Sequence, residues 1–229
     1  MKKVSDIHAI KIIFFITACY VGLWAIRIPT IKDQLQTDYV GVGYIMLSFA
    51  IGSIVAMIFA NALILKTSTK SILTCTLIAE GCLWLPVPFI QELWLFMVFS
   101  FVFGMSYGAF EIACNVYASN LEVREKKSMM SGFHAFWSLG VLFGSLITSF
   151  LLEWNYSFIF NILLYVIILL PLSLYFVLCL ESQVETKSED SSKKNIFFIW
   201  PLLIFLLALI AMANACLLYT SPSPRDNTG

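Results

Sequence analysis

The residue in this chain best suited to chemistry is a carboxylate inside a long apolar run. Glu111 lies within FMVFSFVFGMSYGAFEIACNVYASN, nine residues before the run ends at Asn120. If the run is a bilayer-crossing helix, a rise of 1.5 Å per residue puts Glu111 near the midplane. A charge there costs about 2.5–3.5 kcal/mol on insertion scales, so the side chain is expected to face a cavity or a partner rather than lipid. Gly104, Gly108, Glu111 and Asn115 recur at spacings of four, three and four, which is one face of a helix. The glycines permit close approach of a second helix. Glu111 can take up and release a proton, and Asn115 can hydrogen-bond a polar solute. The competing reading is a packing face in which Glu111 is protonated and structural.

Four further positions carry chemistry of the same kind. Glu80, ten residues past Lys70, is also near mid-depth. It is either a second protonatable site, a pairing group within a helix bundle, or a side chain that snorkels to water. His134, in MMSGFHAFWSLG, lies near one end of a span. There it either shuttles protons or hydrogen-bonds a neighbouring helix. Trp24 and Arg27 close the first apolar run. An aromatic beside a cation can line a solute path, and an interfacial anchor with a snorkelling Arg27 accounts for the pair equally. Asn61 is the other amide in an apolar run, and Gly140 with Gly144 is a second close-packing pair.

Other chemistries lack their residues. The six cysteines, Cys19, Cys75, Cys82, Cys114, Cys179 and Cys216, show no CxxC spacing. They read as small buried hydrophobes rather than as a metal site or a disulfide framework. The only histidines are His8 and His134. An integral-membrane enzyme would need paired carboxylates or clustered histidines at one membrane face. No catalytic residue, metal site or cofactor is therefore assigned, and a proton is the expected coupling ion.

These side chains must be positioned by membrane helices. Of 229 residues, 60% are hydrophobic and 12% charged, too apolar for the surface of a water-soluble domain. Fourteen basic residues balance fourteen acidic ones, which leaves no field to attract nucleic acid. Seven runs reach the roughly 20 residues that a spanning helix needs: 9–26, 40–65, 71–90, 93–120, 128–152, 157–180 and 195–219. They are too long and continuous for barrel strands. The fold class is thus an all-α polytopic membrane protein. Residues 1–180 form a six-helix bundle and 181–194 a polar linker. Residues 195–215 begin a seventh helix, and 216–229 form an aberrant tail. The basic start resembles a signal peptide, and a retained first span is expected.

Basic residues orient the chain. With the N-terminus cytoplasmic, that side carries Lys2, Lys3, Lys11, Lys66, Lys70, Arg124, Lys126, Lys127, Lys187, Lys193 and Lys194. The opposite side carries only Arg27, Lys32 and Arg225. Trp24, Trp84, Trp94, Trp154 and Trp200 fall near predicted helix ends, where an aromatic belt is expected.

Six spans, a basic polar linker and the start of a seventh span resemble the N-terminal half of a major facilitator superfamily transporter. GLWAIRIPTIKDQLQTDYVGVGYIML resembles the first loop and second span of fucose-permease-like bacterial inner-membrane members. MSYGAFEIACNVYASNLE resembles their fourth span, with Gly108, Glu111, Asn115 and Glu122 at its pattern positions. MMSGFHAFWSLGVLFGS is the most distinctive string, with Met130, Ser131, His134, Ser138, Leu139 and Gly140. The resemblance covers about residues 10–180. It departs at NALILKTS, where the family loop reads GxLxxRxG, and in the first span, which lacks the family's acid. CLLYTSPSPRD resembles translated non-native sequence at the ends of fragmentary gene models.

The resemblance implies proton-coupled movement of a small polar solute by alternating access in the bacterial inner membrane, with a sugar as one candidate beside a metabolite, a drug or another small solute. It also implies a C-terminal six-helix half as partner, without which this chain is not expected to transport. Glu111 would be the counterpart of the acid implicated in sugar/proton symport. A non-transporting receptor or scaffold in the same bilayer is the alternative.

Overall fold

The computed structural model describes residues 5–181, without the side chains of 60–62 and 65. The linker, the seventh span, the tail, Trp200 and the Asn61 side chain lie outside the described residues. Within them the fold is six helices: α1 (Asp6–Gln34), α2 (Tyr39–Lys66), α3 (Thr69–Trp84), α4 (Leu93–Glu125), α5 (Met130–Glu153) and α6 (Phe158–Cys179). A 3-10 turn, Val87–Phe89, follows α3. All six segments, the third continued through its 3-10 turn to Phe89, are long and apolar enough to cross a membrane. Large side chains such as Leu142, Leu146, Phe150, Ile167 and Leu178 stand exposed on the outside. This is the surface of a multi-pass membrane protein, for which hydrocarbon takes the place of water.

Three helix ends differ from the expectation, and one of them is α4, which carries its charged end on to Glu125 instead of stopping at Asn120. The first helix does not stop at Ile26 but runs on to Gln34, with Pro29 inside it. The physical reason is a core stripe at four-residue spacing. Leu23, Arg27, Ile31 and Leu35 are all buried, and the charged residues between them hide the periodicity. Gln34 pins this extension by donating from Nε2 to the carbonyls of Val87 (2.9 Å) and Ile90 (2.6 Å). The third span, expected through residue 90, leaves the α-helix after Trp84. Pro86 and Pro88 have no N–H to continue the ladder.

Side chains define the other ends. Asp38 accepts from the Gly41 N–H at the start of α2, and Ser68 and Ser157 cap α3 and α6 in the same way. The start of α5 has Met129 in the capping position, and Glu122 supplies the acceptor from across the loop. Its carboxylate takes the N–H groups of both Met129 and Met130. Lys126 ends α4 in the left-handed region, at φ 53°.

The core is built on two tightly joined pairs, α1 with α5 and α2 with α4. Added Cβ atoms would overlap the Phe49 carbonyl oxygen at Gly104 and the Phe101 carbonyl oxygen at Gly52. On the other pair, Gly140 lies against the Phe15 carbonyl and Gly144 against that of Cys19. Hydroxyls add polar ties: Ser53 Oγ donates to Gly104 O (2.9 Å) across the α2–α4 seam, and Tyr165 Oη, from α6, donates to Gly144 O on α5 (2.6 Å). Helices α3 and α6 pack on each other, α3 also on α4 and α6 also on α1. Exchanging the first three helices for the last three reproduces this set of neighbours, as an internal repeat would.

The cysteines divide. Cys19 and Cys114 are buried as expected, whereas Cys75 and Cys82 are exposed on α3. A helix surrounded by lipid can carry a small apolar thiol on either face. The N-terminal end of the bundle is tied by ions: Asp6 pairs with Arg124 (3.0 Å) and also accepts from the Glu181 N–H. Lys70 donates to the last α6 carbonyls, those of Leu178 (2.9 Å) and Leu180 (2.6 Å).

Backbone contact at the glycines makes a direct prediction. Gly144→Val forces α1 and α5 apart and lowers stability by about 1–3 kcal/mol, the usual cost of overpacking. Gly43→Ala, at a position with nothing within 4 Å of the added atom, changes stability by less than about 0.5 kcal/mol. Denaturant unfolding in micelles followed by circular dichroism checks both.

Candidate functional site: two cavities within the bundle

The close seam of α2 and α4 ends one turn before Glu111. Gly104 and Gly108 are closed off by α2, Gly108 lying against Ser53. The next two members of the same face, Glu111 and Asn115, line an open cavity of about 220 Å³. The predicted stripe is therefore real and divides in two, its glycine half serving packing and its polar half facing space. Opposite stand His134 and Trp137 from α5 and Phe14 from α1. Phe14 sets its edge against the His134 ring, with centroids 5.7 Å apart and planes at 72°. It stacks in parallel on Phe133 at 5.9 Å. The histidine is thus held by ring packing. Glu111, Asn115 and His134 make no side-chain hydrogen bond or ion pair with any described residue, so their polar atoms are available to a solute or to water.

Glu80 and Trp24 are not in this chamber. They line a second cavity of about 300 Å³, together with Tyr20, Trp84, Phe96 and Phe103. Glu80 is only 6% exposed, so it does not snorkel. It too lacks a hydrogen bond or ion pair among the described residues. Of the five residues singled out in the sequence, three share one cavity and two the other.

Two aromatic residues, Tyr107 and Trp137, line both cavities and form the wall between them. Sequence reasoning missed them. The signals were present: Tyr107 stands four residues before Glu111, and Trp137 is the one tryptophan placed mid-span rather than at a helix end.

The interfacial reading of the other tryptophans holds only in part. Trp94 and Trp154 are each 64% exposed near helix ends, as a belt requires. Trp84 is buried, stacked on Tyr20 at 6.0 Å and edge-on to Phe103 at 5.6 Å, and Trp24 meets it at 6.1 Å. Trp84 ends α3, yet its ring faces into the bundle rather than the interface. Arg27 likewise does not snorkel. It is 2% exposed, donating from Nε to Asn161 Oδ1 (3.0 Å) and from its terminal nitrogen to the Tyr156 carbonyl (3.3 Å). The Phe158 ring lies 5.3 Å from its guanidinium carbon. It joins α1 to the start of α6.

A polytopic bundle of six apolar helices, joined in glycine-tight pairs and containing cavities lined by polar side chains, defines the class: a multi-pass helical membrane protein. The chain belongs to the Major Facilitator Superfamily, which it matches over residues 12–225. It is 28% identical over 145 residues to an uncharacterised MFS-type transporter of Yersinia pestis, covering 62% of this chain and 37% of that protein. It is 25% identical over 141 residues to an uncharacterised transporter of Sinorhizobium fredii, covering 58% of this chain and 35% of the relative. The matched part is thus little more than a third of each relative's length. No solved structure matches the chain.

The buried fork of Arg27 makes the prediction here. Arg27→Leu strands the Asn161 side chain and the Tyr156 carbonyl away from water, and the expected cost is about 1–3 kcal/mol. Arg27→Lys keeps the charge but cannot span both acceptors, and it falls between wild type and Arg27→Leu. Unfolding free energies of the three proteins in the same micelles check the order.

Proposed function

We propose that this chain is the N-terminal half of a secondary transporter that moves a small polar solute, a sugar foremost, in symport with protons. The membrane is the bacterial inner membrane, and the N-terminus is cytoplasmic. Alternating access arises as this bundle rocks against a second six-helix half, with the solute held between them near mid-membrane. The observation that carries this reading is the convergence of Glu111, Asn115 and His134 on one cavity, with no side-chain hydrogen bond from any of them to another described residue. An acid kept inside the membrane beside a titratable imidazole is suited to exchange a proton as its surroundings change. Glu111 takes up a proton from one side and loses it to the other. Asn115 hydrogen-bonds the solute, and His134 lies on the proton's way to Glu111. The sugar assignment rests on the resemblance to fucose-permease-like proteins, and the basic-residue asymmetry supports the orientation.

A receptor or scaffold built on the same helices has no need of a titrating Glu111. Uptake in proteoliposomes separates the two readings. The vesicles carry the transporter of which this bundle is one half, with a panel of labelled sugars outside. An inward proton gradient is expected to drive uptake by wild type. In Glu111→Gln gradient-driven uptake falls to background, while gradient-free counterflow and correct folding persist. Undiminished gradient-driven uptake by Glu111→Gln would sink the coupling role. A folded wild type that takes up no solute favours the receptor or scaffold.

A further inference from the structure

The larger cavity differs in chemistry from the Glu111 chamber. Its one charged group is Glu80, and no Lys, Arg or His lines it. Around that carboxylate stand rings from several helices: Trp24 on α1, Phe49 on α2, Trp84 on α3 and Phe103 on α4. Trp84 follows Glu80 by one helical turn, and its Nε1 is buried without an acceptor. A buried carboxylate with neither counter-ion nor hydrogen bond is a costly arrangement unless it takes up a proton or a ligand brings the missing charge.

The lining selects among ligands. A sugar would bring many hydroxyls into a space whose polar groups are few, and each hydroxyl left unpaired costs free energy. A hard metal ion needs several oxygen ligands, and no group of three metal-binding side chains occurs among the described residues. An alkylated ammonium needs neither. It is weakly hydrated, its charge is matched by one carboxylate, and its alkyl groups are attracted to the faces of aromatic rings. A volume of about 300 Å³ stands at the small end of ligand sites.

We propose that the Glu80 cavity binds a small organic cation of the alkylated ammonium type, with its charge beside Glu80 and its alkyl groups against the Trp24, Trp84 and Phe103 rings. This goes beyond the transport reading and does not depend on it, since Glu111 is not part of this cavity.

Choline is the probe, and 3,3-dimethyl-1-butanol, its neutral isostere, is the control. Calorimetric titration of the 229-residue chain in lipid nanodiscs measures both. Choline is expected to bind at least about tenfold more tightly than the isostere, the scale of a desolvated cation–π contact joined to a charge. Glu80→Gln is expected to remove that preference, and Glu153→Gln, at the exposed end of α5, to preserve it. Equal binding of the two compounds by wild type, or no binding of choline, overturns the proposal without recourse to any variant. So does a correctly folded Glu80→Gln protein that keeps its preference for choline. Loss of choline binding in Glu111→Gln but not in Glu80→Gln would move the cation to the other chamber and overturn it as well.

Discussion

Everything in this bundle depends on two helix pairs approaching until backbone touches backbone. Within a bilayer there is little hydrophobic drive to join helices, because lipid is as apolar as the side chains it would replace. What remains is dispersion, which falls off steeply with distance, and polar contact at close range. Gly104 and Gly52 bring α2 and α4 into that range, and Gly140 and Gly144 do the same for α1 and α5. The hydroxyl of Ser53 can then reach a carbonyl on the facing helix, and that of Tyr165 adds a tie from α6 to α5. Where the glycine stripe on α4 gives way to Glu111, the close contact ends and a chamber begins. Tight seam and open cavity are consecutive stretches of one helical face.

The polar side chains inside the bundle fall into two kinds. Arg27 and Tyr165 are joined to acceptors on other helices and hold the bundle together. Glu80, Glu111, Asn115 and His134 face cavities with their polar atoms unengaged. The first kind is structural by its hydrogen bonds. The second divides between two chambers of different character. One has an acid, an amide and an imidazole, and the other an acid ringed by aromatic faces.

Much of this was legible in the sequence. Six spans, their order and the polar face of α4 follow from apolar run length and four-three-four spacing, because lipid makes each helix advertise itself. The end of α1 was not legible. Mean hydropathy falls at Arg27, Lys32 and Asp33, yet the inner face continues through Ile31 and Leu35 to the Gln34 clip on the next loop. A window average cannot separate a charged outer face from a helix end. Nor could the partners of Trp24 and Arg27 be read, since a position near a span's end serves an interfacial anchor and a bundle-facing ring alike. Only helices brought from elsewhere in the chain decide, here α3 with Trp84 and α6 with Asn161. Grouping the site residues into two cavities is likewise a matter of tertiary contact, beyond any spacing along one helix.

The wall made by Tyr107 and Trp137 has a mechanical consequence. A partition thinned to two side chains is a shared coordinate. Each ring's rotamer sets the dimensions of both chambers at once, so a swing that lends volume to one side withdraws it from the other. The two spaces are thereby neighbours across a movable screen, whose phenol and indole are the polar groups they share.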